Sequence, residues 1–516
     1  MPRAPSRGQG DLFSDPGAAL PRSFSPLRPG NDRIGVVDVG SNSVRMVVFE
    51  SQRRCPSMIF NEKVMCGLGE DLAQTGRLSV RGKERAMTAL SRFVSLAPGL
   101  KIGALAGIAT AAVRDATDGT EFRDHVERET GIRLKIASGA DEARLAAQGV
   151  LFGDPNASGL VMDLGGASLE ICPVAKGKPG EGITSPLGPL RVGGDGDRAA
   201  TRSTVDRVLQ PFAQQFGRTD RIYLVGGAWR AFARVLIHLS GHPLNILHEY
   251  NFTPEAAREA ARHIVQADPA TLRKTPGLPS SRVGSAPYAG LLIEALIDHF
   301  DPRDLRISGF GLREGVCFDH LPLSVRRQDP LISTCMGQEK TRARDYGFGG
   351  ELASWMLAAL QPDDAEEARL IRAVCHLSDV SWRAHPDFRA TGCSEVVTRV
   401  NVSSAGHHGR ARMMAMLLCR YKGGRKAMAE APAMALLSEK ERERAQQIGA
   451  LLRLGCTISG AIKGELSRIP LRMTDTALVL APNTAAMAVM GEEVDKRLMQ
   501  AARAFGLDHQ IIPSRD

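Results

Sequence analysis

From Arg33 onward, RIGVVDVGSNSVRMVVFES sets two apolar runs, Ile34 to Val37 and Val44 to Phe49, on either side of DVGSNS. That pattern predicts a strand, a polar Gly/Ser/Asn turn and a second strand. Apolar positions at helical spacing follow from Ser79 to Leu96. IGALAGIAT then reads as a buried strand, residues near Thr120 to Glu129 as a helix, and KIASGADEARLAAQGVLFG as strand, turn and helix. The pattern restarts at GLVMDLGGASLEICPV with another strand, Gly-rich turn and strand. RIYLVGGAWRAFARVL and LRISGFGLREGV each add a strand, a Gly turn and a helix. Two α/β halves, 31–155 and 156–330, thus open alike with an apolar strand, Asp-x-Gly and a hairpin. Such duplication implies a cleft between lobes. From 331 to 516 helical patterns dominate, as in GELASWMLAAL and RARMMAMLLCRY, with β-like material only near RIPLRMTDTALVLAP. Residues 1–30, rich in Pro, Ser, Gly and Arg and without the apolar core of a signal peptide, are expected to form a disordered tail.

Composition sharpens this picture at a few points. At 516 residues the chain exceeds a single core. A net charge of +9 favours an anionic partner such as polyphosphate, nucleotide or nucleic acid, although a basic surface also serves solubility. Aromatic residues are only 5%, with no aromatic and basic stripe for stacking bases, so no nucleic-acid partner is expected. Nine cysteines without a CxxC pair exclude a zinc ribbon and a thioredoxin-like site. Cys172, Cys375 and Cys419 sit in apolar runs and are expected to be buried. An odd count without a framework points to a reducing compartment. No segment has the length of a membrane span, so the expected location is the cytoplasm, without a membrane partner.

The candidate chemistry lies in the repeated turns. Asp38 stands at a strand end before Gly40, Ser41, Asn42 and Ser43, whose backbone N–H groups would cradle a phosphate oxygen. Asp38 would face a metal or its waters, since Mg²⁺ prefers carboxylate plus water to a full protein cage. Alone, that segment also describes a plain hairpin. Asp163, Gly165, Gly166, Ala167 and Ser168 repeat the arrangement, and Glu170 on the returning strand would reach the same metal. Gly226 and Gly227, followed by Arg230, make a third turn at a helix start, suited equally to an anion and to close helix–strand packing. Glu142, in SGADEARL, would accept a proton from an attacking water, or merely complement a helix dipole. Arg45 and Arg114 offer permanently charged forks to phosphate, or surface salt bridges.

Taken together, DVGSNSVRMVVFE, GLGEDLAQTGRLS, ATAAVRDAT, SGADEARLAAQGV, DLGGASLE, SPLGPLRV, LVGGAWRAFA and GLREGV resemble the exopolyphosphatase/guanosine pentaphosphate phosphohydrolase (Ppx/GppA) family, in its order and approximate spacing. The resemblance covers about Ile34 to Val316 and, more loosely, the helical tail. It implies an α/β, actin-like (ribonuclease H-like), duplicated two-lobed phosphotransferase fold with a mainly helical HD-like C-terminal domain. It also implies an Mg²⁺-dependent hydrolase acting on inorganic polyphosphate, with guanosine pentaphosphate (pppGpp) as the alternative substrate. By motif position, Glu142 would be the catalytic base, Asp163 and Glu170 the Mg²⁺ acids, and Arg45, Arg114 and the hairpin backbones the phosphate holders. A homodimer is expected. A kinase of the same superfamily and a noncatalytic polyphosphate or alarmone sensor are the rival readings.

Three departures touch substrate preference. Ala167 replaces the last of three glycines, Leu169 replaces a hydroxyl residue, and SGFGLREG lacks an Asp often found before its Gly-Leu-Arg-Glu. In the tail, AVCHLSDVSWRAHP has no His-Asp dinucleotide, so His376, Asp379, His385 and His408 are assigned no second centre. Several residues of the basic run Arg410, Arg412, Arg420, Lys422, Arg425 and Lys426 are expected to face solvent or a groove leading to the cleft, either extending the grip on long polyphosphate or forming a plain solvated helix face.

Overall fold

The computed structural model of the chain describes residues 24–26, 32–51, 53–192, 197–399, 402–421 and 424–514. The chain divides into two compact units, one of 1–232 with 252–328 and the other of 233–251 with 329–516.

The first unit carries two α/β sheets, and residues 233–251, expected within 156–330, group with the second unit instead. Strands β1 (Phe24–Pro26), β2 (Arg33–Val39), β3 (Ser43–Phe49), β4 (Met58–Met65), β5 (Ile102–Ala109) and β6 (Leu134–Ile136) form one sheet. Its order is β1-β5-β2-β3-β4, with β6 also on β5. The apolar runs of β2, β3 and β5 are largely buried because helices such as Val80–Leu96 and Gly119–Thr130 cover them, whereas Asp38 and Arg45 stay half-buried. Phe24–Pro26 corrects part of the expected tail. It pairs antiparallel with Ala104–Ala106, because the outer edge of β5 offers unpaired backbone groups. The rest of that tail, 1–23 and 27–30, lies outside the described residues.

The second half repeats the opening. Strands β7 (Gly159–Leu164) and β8 (Leu169–Ala175) form an antiparallel hairpin as β2 and β3 do. With β9 (Lys178–Pro179), β10 (Ile183–Ser185), β11 (Arg221–Val225) and the strand Asp304–Ile307 they build the second sheet. β7 and β11 are parallel, as are β11 and Asp304–Ile307. Between the sheets run two helices, Gly139–Gly153 and Leu312–His320, in backbone-to-backbone contact. A Cβ on Gly315 would fall 1.9 Å from the Leu145 carbonyl oxygen, and one on Gly149 would fall 2.2 Å from that of Gly311. Glycine is required at that crossing by space.

The second unit is mainly helical. Helices Pro330–Arg342, Phe348–Ala359, Ala365–Leu377, Arg389–Arg399, Gly406–Cys419 and Glu439–Ser459 share one core of Leu352, Leu370, Met416, Ile448, Leu452 and their neighbours. The β-like stretch forms Leu471–Met473 and Ala477–Leu480, joined by a parallel strand Asp508–Ile511 whose polar alternation gave little sign of it. The basic run departs from expectation. Arg410 is buried and donates to the carbonyls of Val397 and Val402. Arg412 pairs with the buried Glu367, and Arg420 is buried beside Asp379. An arginine on an otherwise apolar helix face is tolerated inside when carbonyls and carboxylates take its N–H groups. Lys426 is exposed; Lys422 and the Arg425 side chain lie outside the description. All nine cysteines are free; Cys172 and Cys375 are buried, whereas Cys419 is only half-buried.

The crossing gives a first prediction. Gly315→Val should lower the denaturation free energy by about 3 kcal/mol or more, since overpacking against backbone has no side chain to yield. Gly99→Ala, exposed with only an ordinary contact at 3.6 Å, should be nearly neutral. Chemical denaturation of both variants checks this, and equal small shifts would show that the helices do not need backbone contact.

Candidate active site

Both hairpin turns are closed by the same bond. Gly40 N–H donates to Ser43 O at 3.0 Å, and Gly165 N–H donates to Ser168 O at 3.0 Å. Each turn is then clasped from outside. Cys66 and Gly67 donate to Asn42 O, and Gly69 to Ser41 O, so GLGED folds over the first turn. Leu190 donates to Gly166 O, so SPLGPLRV folds over the second.

Register decides what each hairpin presents. Asp38 stands opposite Arg45, and Arg45 opposite Lys63 on β4. Asp163 stands opposite Glu170, and Glu170 opposite Thr184 on β10. Directly opposed residues share a face and interact. The first lobe therefore displays an acid and two cations, and the second displays two acids and a hydroxyl. Thr184 Oγ1 donates to Glu170 at 3.0 Å.

Glu142 reaches this group from the first turn of helix Gly139–Gly153. Ser138 caps that helix, accepting from Asp141 N–H while the Asp141 carboxylate accepts from Ser138 N–H. Gly139 lets the helix start press on Thr184, where a Cβ would fall 2.3 Å from Cγ2. Arg114 donates to Glu142, and also to Ala137 O and Asp115, each at 3.1 Å. Burial and the charge of Glu170 push Glu142 up to about 9, against the pull of Arg114. Burial and Asp163 push Glu170 up to about 7. Burial pushes Asp163 up to about 6, with Asp38 and Glu314 adding to it and Arg230 and Arg313 opposing it.

Beside these acids lies a crowd of cations. Arg45, Lys63, Arg230 and Arg282 are each lowered by burial, Arg45 to about 10, and the first three also by the arginines around them. Arg313 donates to Asp38 at 2.8 Å. Asp38 is thus engaged by an arginine rather than turned toward Asp163 and Glu170 alone. Gly226, at φ +120°, lies against the end of β7, where a Cβ would fall 2.5 Å from Leu164 O; Gly227 lies under the Arg282 guanidinium. Close approach is what that Gly-Gly pair supplies.

The structure so gathers Glu142, Asp163, Glu170, Asp38, Arg45 and Arg114 into one electrostatic cluster. Arg230 had been noted only as a neighbour of its turn. Arg313, Arg282, Lys63 and Thr184 were missed. Arg313 stood in GLREGV, but Lys63 and Arg282 sit in no motif, and only strand register and loop packing bring them in.

Among the described residues no set of three or more His, Cys, Asp or Glu side chains closes into a metal-holding group. The donor set still fits Mg²⁺, which takes one or two carboxylates and keeps several waters. Asp163 and Glu170, paired across β7 and β8, are the residues that would hold it.

Two duplicated α/β lobes, each opening on a clasped Gly/Ser hairpin with charged residues at its strand ends, define the actin-like class of phosphate-handling folds. The Ppx/GppA phosphatase family model matches residues 47–324, and that of the exopolyphosphatase C-terminal region matches 338–512. The chain belongs to the Ppx/GppA phosphatase family. It is similar to Exopolyphosphatase 1 of Mycobacterium tuberculosis, 32% identical over 163 residues, covering 31% of this chain and 47% of that protein. The chain spans about half the length of the first curated relatives it matches. Retrograde regulation protein 2 of Saccharomyces cerevisiae is 25% identical over 440 residues, 76% of this chain and 72% of the other. A crystal structure of an exopolyphosphatase from Cytophaga hutchinsonii shares the fold, at 22% identity and TM-score 0.51, over 55% of this chain and 96% of that one.

The raised pKa of Glu142 has a thermodynamic consequence. Folded, it holds a proton to about pH 9, whereas its ordinary value is 4.5. Its contribution to stability is full below about pH 4.5 and is lost as pH rises toward 9. Glu142→Gln removes that loss, so with chelator present its stability relative to the parent should climb steadily between those limits. Thermal melts across pH check this; a pH-independent difference would show that Glu142 ionises normally.

Proposed function

We propose that the chain is a Mg²⁺-dependent exopolyphosphatase that removes the terminal phosphate of inorganic polyphosphate as orthophosphate. The observation that carries this reading is the opposite polarity of the two hairpins: cations crowd the first, and paired carboxylates face one another on the second. Crowded guanidiniums suit a chain of phosphates, and paired carboxylates suit a cation beside its terminal group.

In the reaction, a water oxygen forms a bond to the terminal phosphorus as the bridging P–O bond breaks, and the shortened chain leaves with the electron pair. Glu142 takes the water proton, and Arg114 holds Glu142 in place while favouring its ionised form. Mg²⁺ at Asp163 and Glu170 would supply neutralisation of phosphate charge and favour ionised carboxylates nearby. Arg45, Lys63, Arg230, Arg282 and Arg313 bind and align the chain. The backbone of Gly40–Ser43 and Gly165–Ser168 lines the terminal phosphate. Phosphoryl transfer of this kind depends mainly on positioning and charge neutralisation. The setting is a cytoplasmic one, with the protein acting as a homodimer; among the described residues no helix is long and apolar enough to cross a membrane.

A second reading, a noncatalytic sensor, draws on the 440-residue likeness to a protein named for regulation. Phosphate release separates the two. Long polyphosphate, short polyphosphate and guanosine pentaphosphate, compared with Mg²⁺ present, should show release greatest from polyphosphate. No release from any of them would leave the sensor.

Glu142→Gln should lower turnover about 10²–10⁴-fold, the usual loss for a positioned base, while polyphosphate binding persists. Asp163→Asn and Glu170→Gln should each raise the Mg²⁺ needed for half-maximal rate and shrink the rise in melting temperature that Mg²⁺ gives the parent. Unchanged metal dependence in both variants would remove these acids from the role.

A further inference from the structure

In the helical unit, five arginines from five separate segments converge on one cavity of about 680 Å³. Arg344 follows helix Pro330–Arg342, Arg389 begins helix Arg389–Arg399, and Arg420 ends helix Gly406–Cys419. Arg453 projects from Glu439–Ser459 and Arg497 from Glu492–Phe505.

The acids around them fall short of these charges. Asp379 is the buried carboxylate of the lining; it takes two hydrogen bonds from the Arg344 side chain, at 2.7 and 3.0 Å, and lies 3.7 Å from Arg420. Asp387 is at the rim, its side chain 82% exposed beside His385. Arg497 is held from outside the cavity by Glu493 and Gln500. The Arg389 side chain donates to the Ala384 carbonyl alone, and the Arg453 side chain has no hydrogen bond or ion pair among the described residues, while the Arg453 carbonyl accepts from Thr457 Oγ1. The Nε groups of Arg420 and Arg497 are buried without an acceptor. Burial and the charge of Arg497 disfavour the charged form of Arg453, against the pull of Glu493. Two buried N–H groups without an acceptor are a cost to the fold, and five guanidiniums facing one buried and one exposed carboxylate leave the cavity with an excess of positive charge that suits an anion.

We propose that this cavity is a binding site for a small compound carrying two or more adjacent phosphates, separate from the acids of the α/β unit. Guanidinium forks match phosphate oxygens in pairs, and orthophosphate alone would leave most of the five unused. The volume lies in the range of about 300–1,000 Å³ usual for small-molecule sites. Inorganic tripolyphosphate and a nucleoside triphosphate share the required chemistry. Trp382 lines the same cavity, its ring within 5.6 Å of the Arg344 guanidinium carbon and its Nε1 donating to Arg342 O. The chain has three tryptophans, and Trp229 and Trp355 are buried. Trp382 is therefore the reporter for events in this cavity.

The proposal does not depend on the hydrolase reading, because the test is binding with metal chelated. Full-length protein is titrated with tripolyphosphate and, separately, with ATP, followed by calorimetry and tryptophan fluorescence. Both probes should bind and shift the fluorescence. Arg453→Gln and Arg389→Gln should each weaken that event at least tenfold, with Mg²⁺-dependent phosphate release from long polyphosphate unchanged in the absence of the probe. Trp382→Phe should abolish the fluorescence shift and keep the calorimetric signal. Arg389→Gln, at a half-exposed helix start, serves if Arg453→Gln does not fold. Tighter binding of ATP would assign the nucleoside a place in the cavity; equal binding would assign the phosphates alone. Absence of a fluorescence shift, or binding untouched by either arginine variant, overturns the proposal.

Discussion

The first unit depends on like charges held side by side. Asp163 and Glu170 face each other across a two-stranded hairpin, and Glu142 is brought in from a helix start to join them. Directly opposed like charges weaken a sheet, and burial makes each costlier still. Their raised pKa values express that strain as retained protons. The surrounding fold is what keeps them together: a capped helix carrying Glu142, Thr184 donating to Glu170, and Arg114 donating to Glu142 from the end of the short helix Ala111–Asp115. A glycine crossing lets the two central helices meet closely enough for this. The fold's stability is therefore partly opposed by its own site, as expected where charge is stored for binding or chemistry.

Duplication of the hairpin did not duplicate its chemistry. The same Gly-to-Ser bond closes both turns, and an outer segment clasps each. The residue opposite the strand-end acid differs: Arg45 in one lobe, Glu170 in the other. That single change in cross-strand partner leaves one copy displaying cations beside its acid and the other displaying paired carboxylates. The departures from the family pattern fall within this scheme. Leu169 is fully buried, so the residue that replaces a hydroxyl serves the core. Ala167 is nearly buried, and the chain opposite is Gly188, where any Cβ would fall 2.1 Å from the Ala167 carbonyl carbon.

The strands and turns of the α/β halves were legible because their signal is local. Apolar runs bounded by Asp-x-Gly mark β2, β3, β7 and β8, and two copies of one pattern declare a duplication. Glu142, Asp163, Glu170 and Arg114 could be named because each sits in or beside a turn motif. Lys63 and Arg282 could not, because nothing near them in sequence differs from an ordinary surface cation. Their membership follows from register on β4 and from the packing of Arg282 over Gly227. The short strand Phe24–Pro26 was hidden for a related reason: a Pro- and Ser-rich segment acquires structure only by borrowing the free edge of β5.

The helical unit shows how charge count misleads when burial is unknown. In sequence, Arg410, Arg412 and Arg420 read as an exposed basic face, since arginine is seldom fully buried without a partner. Each has one kind of answer inside. Arg410 turns its two terminal nitrogens to two carbonyls while its Nε stays unmatched, Arg412 meets Glu367, and Arg420 lies beside Asp379 and over the Tyr421 ring. His376 and Asp379, to which the sequence assigns no second centre, are likewise committed: His376 bonds Glu339 at 2.7 Å, and Asp379 bonds Arg344 at 2.7 Å. An arginine in ion-pair contact with a would-be ligand carboxylate supplies the positive charge that a metal would otherwise bring. Around Asp379 the guanidiniums outnumber the carboxylates, and that excess sets the charge of the neighbouring cavity.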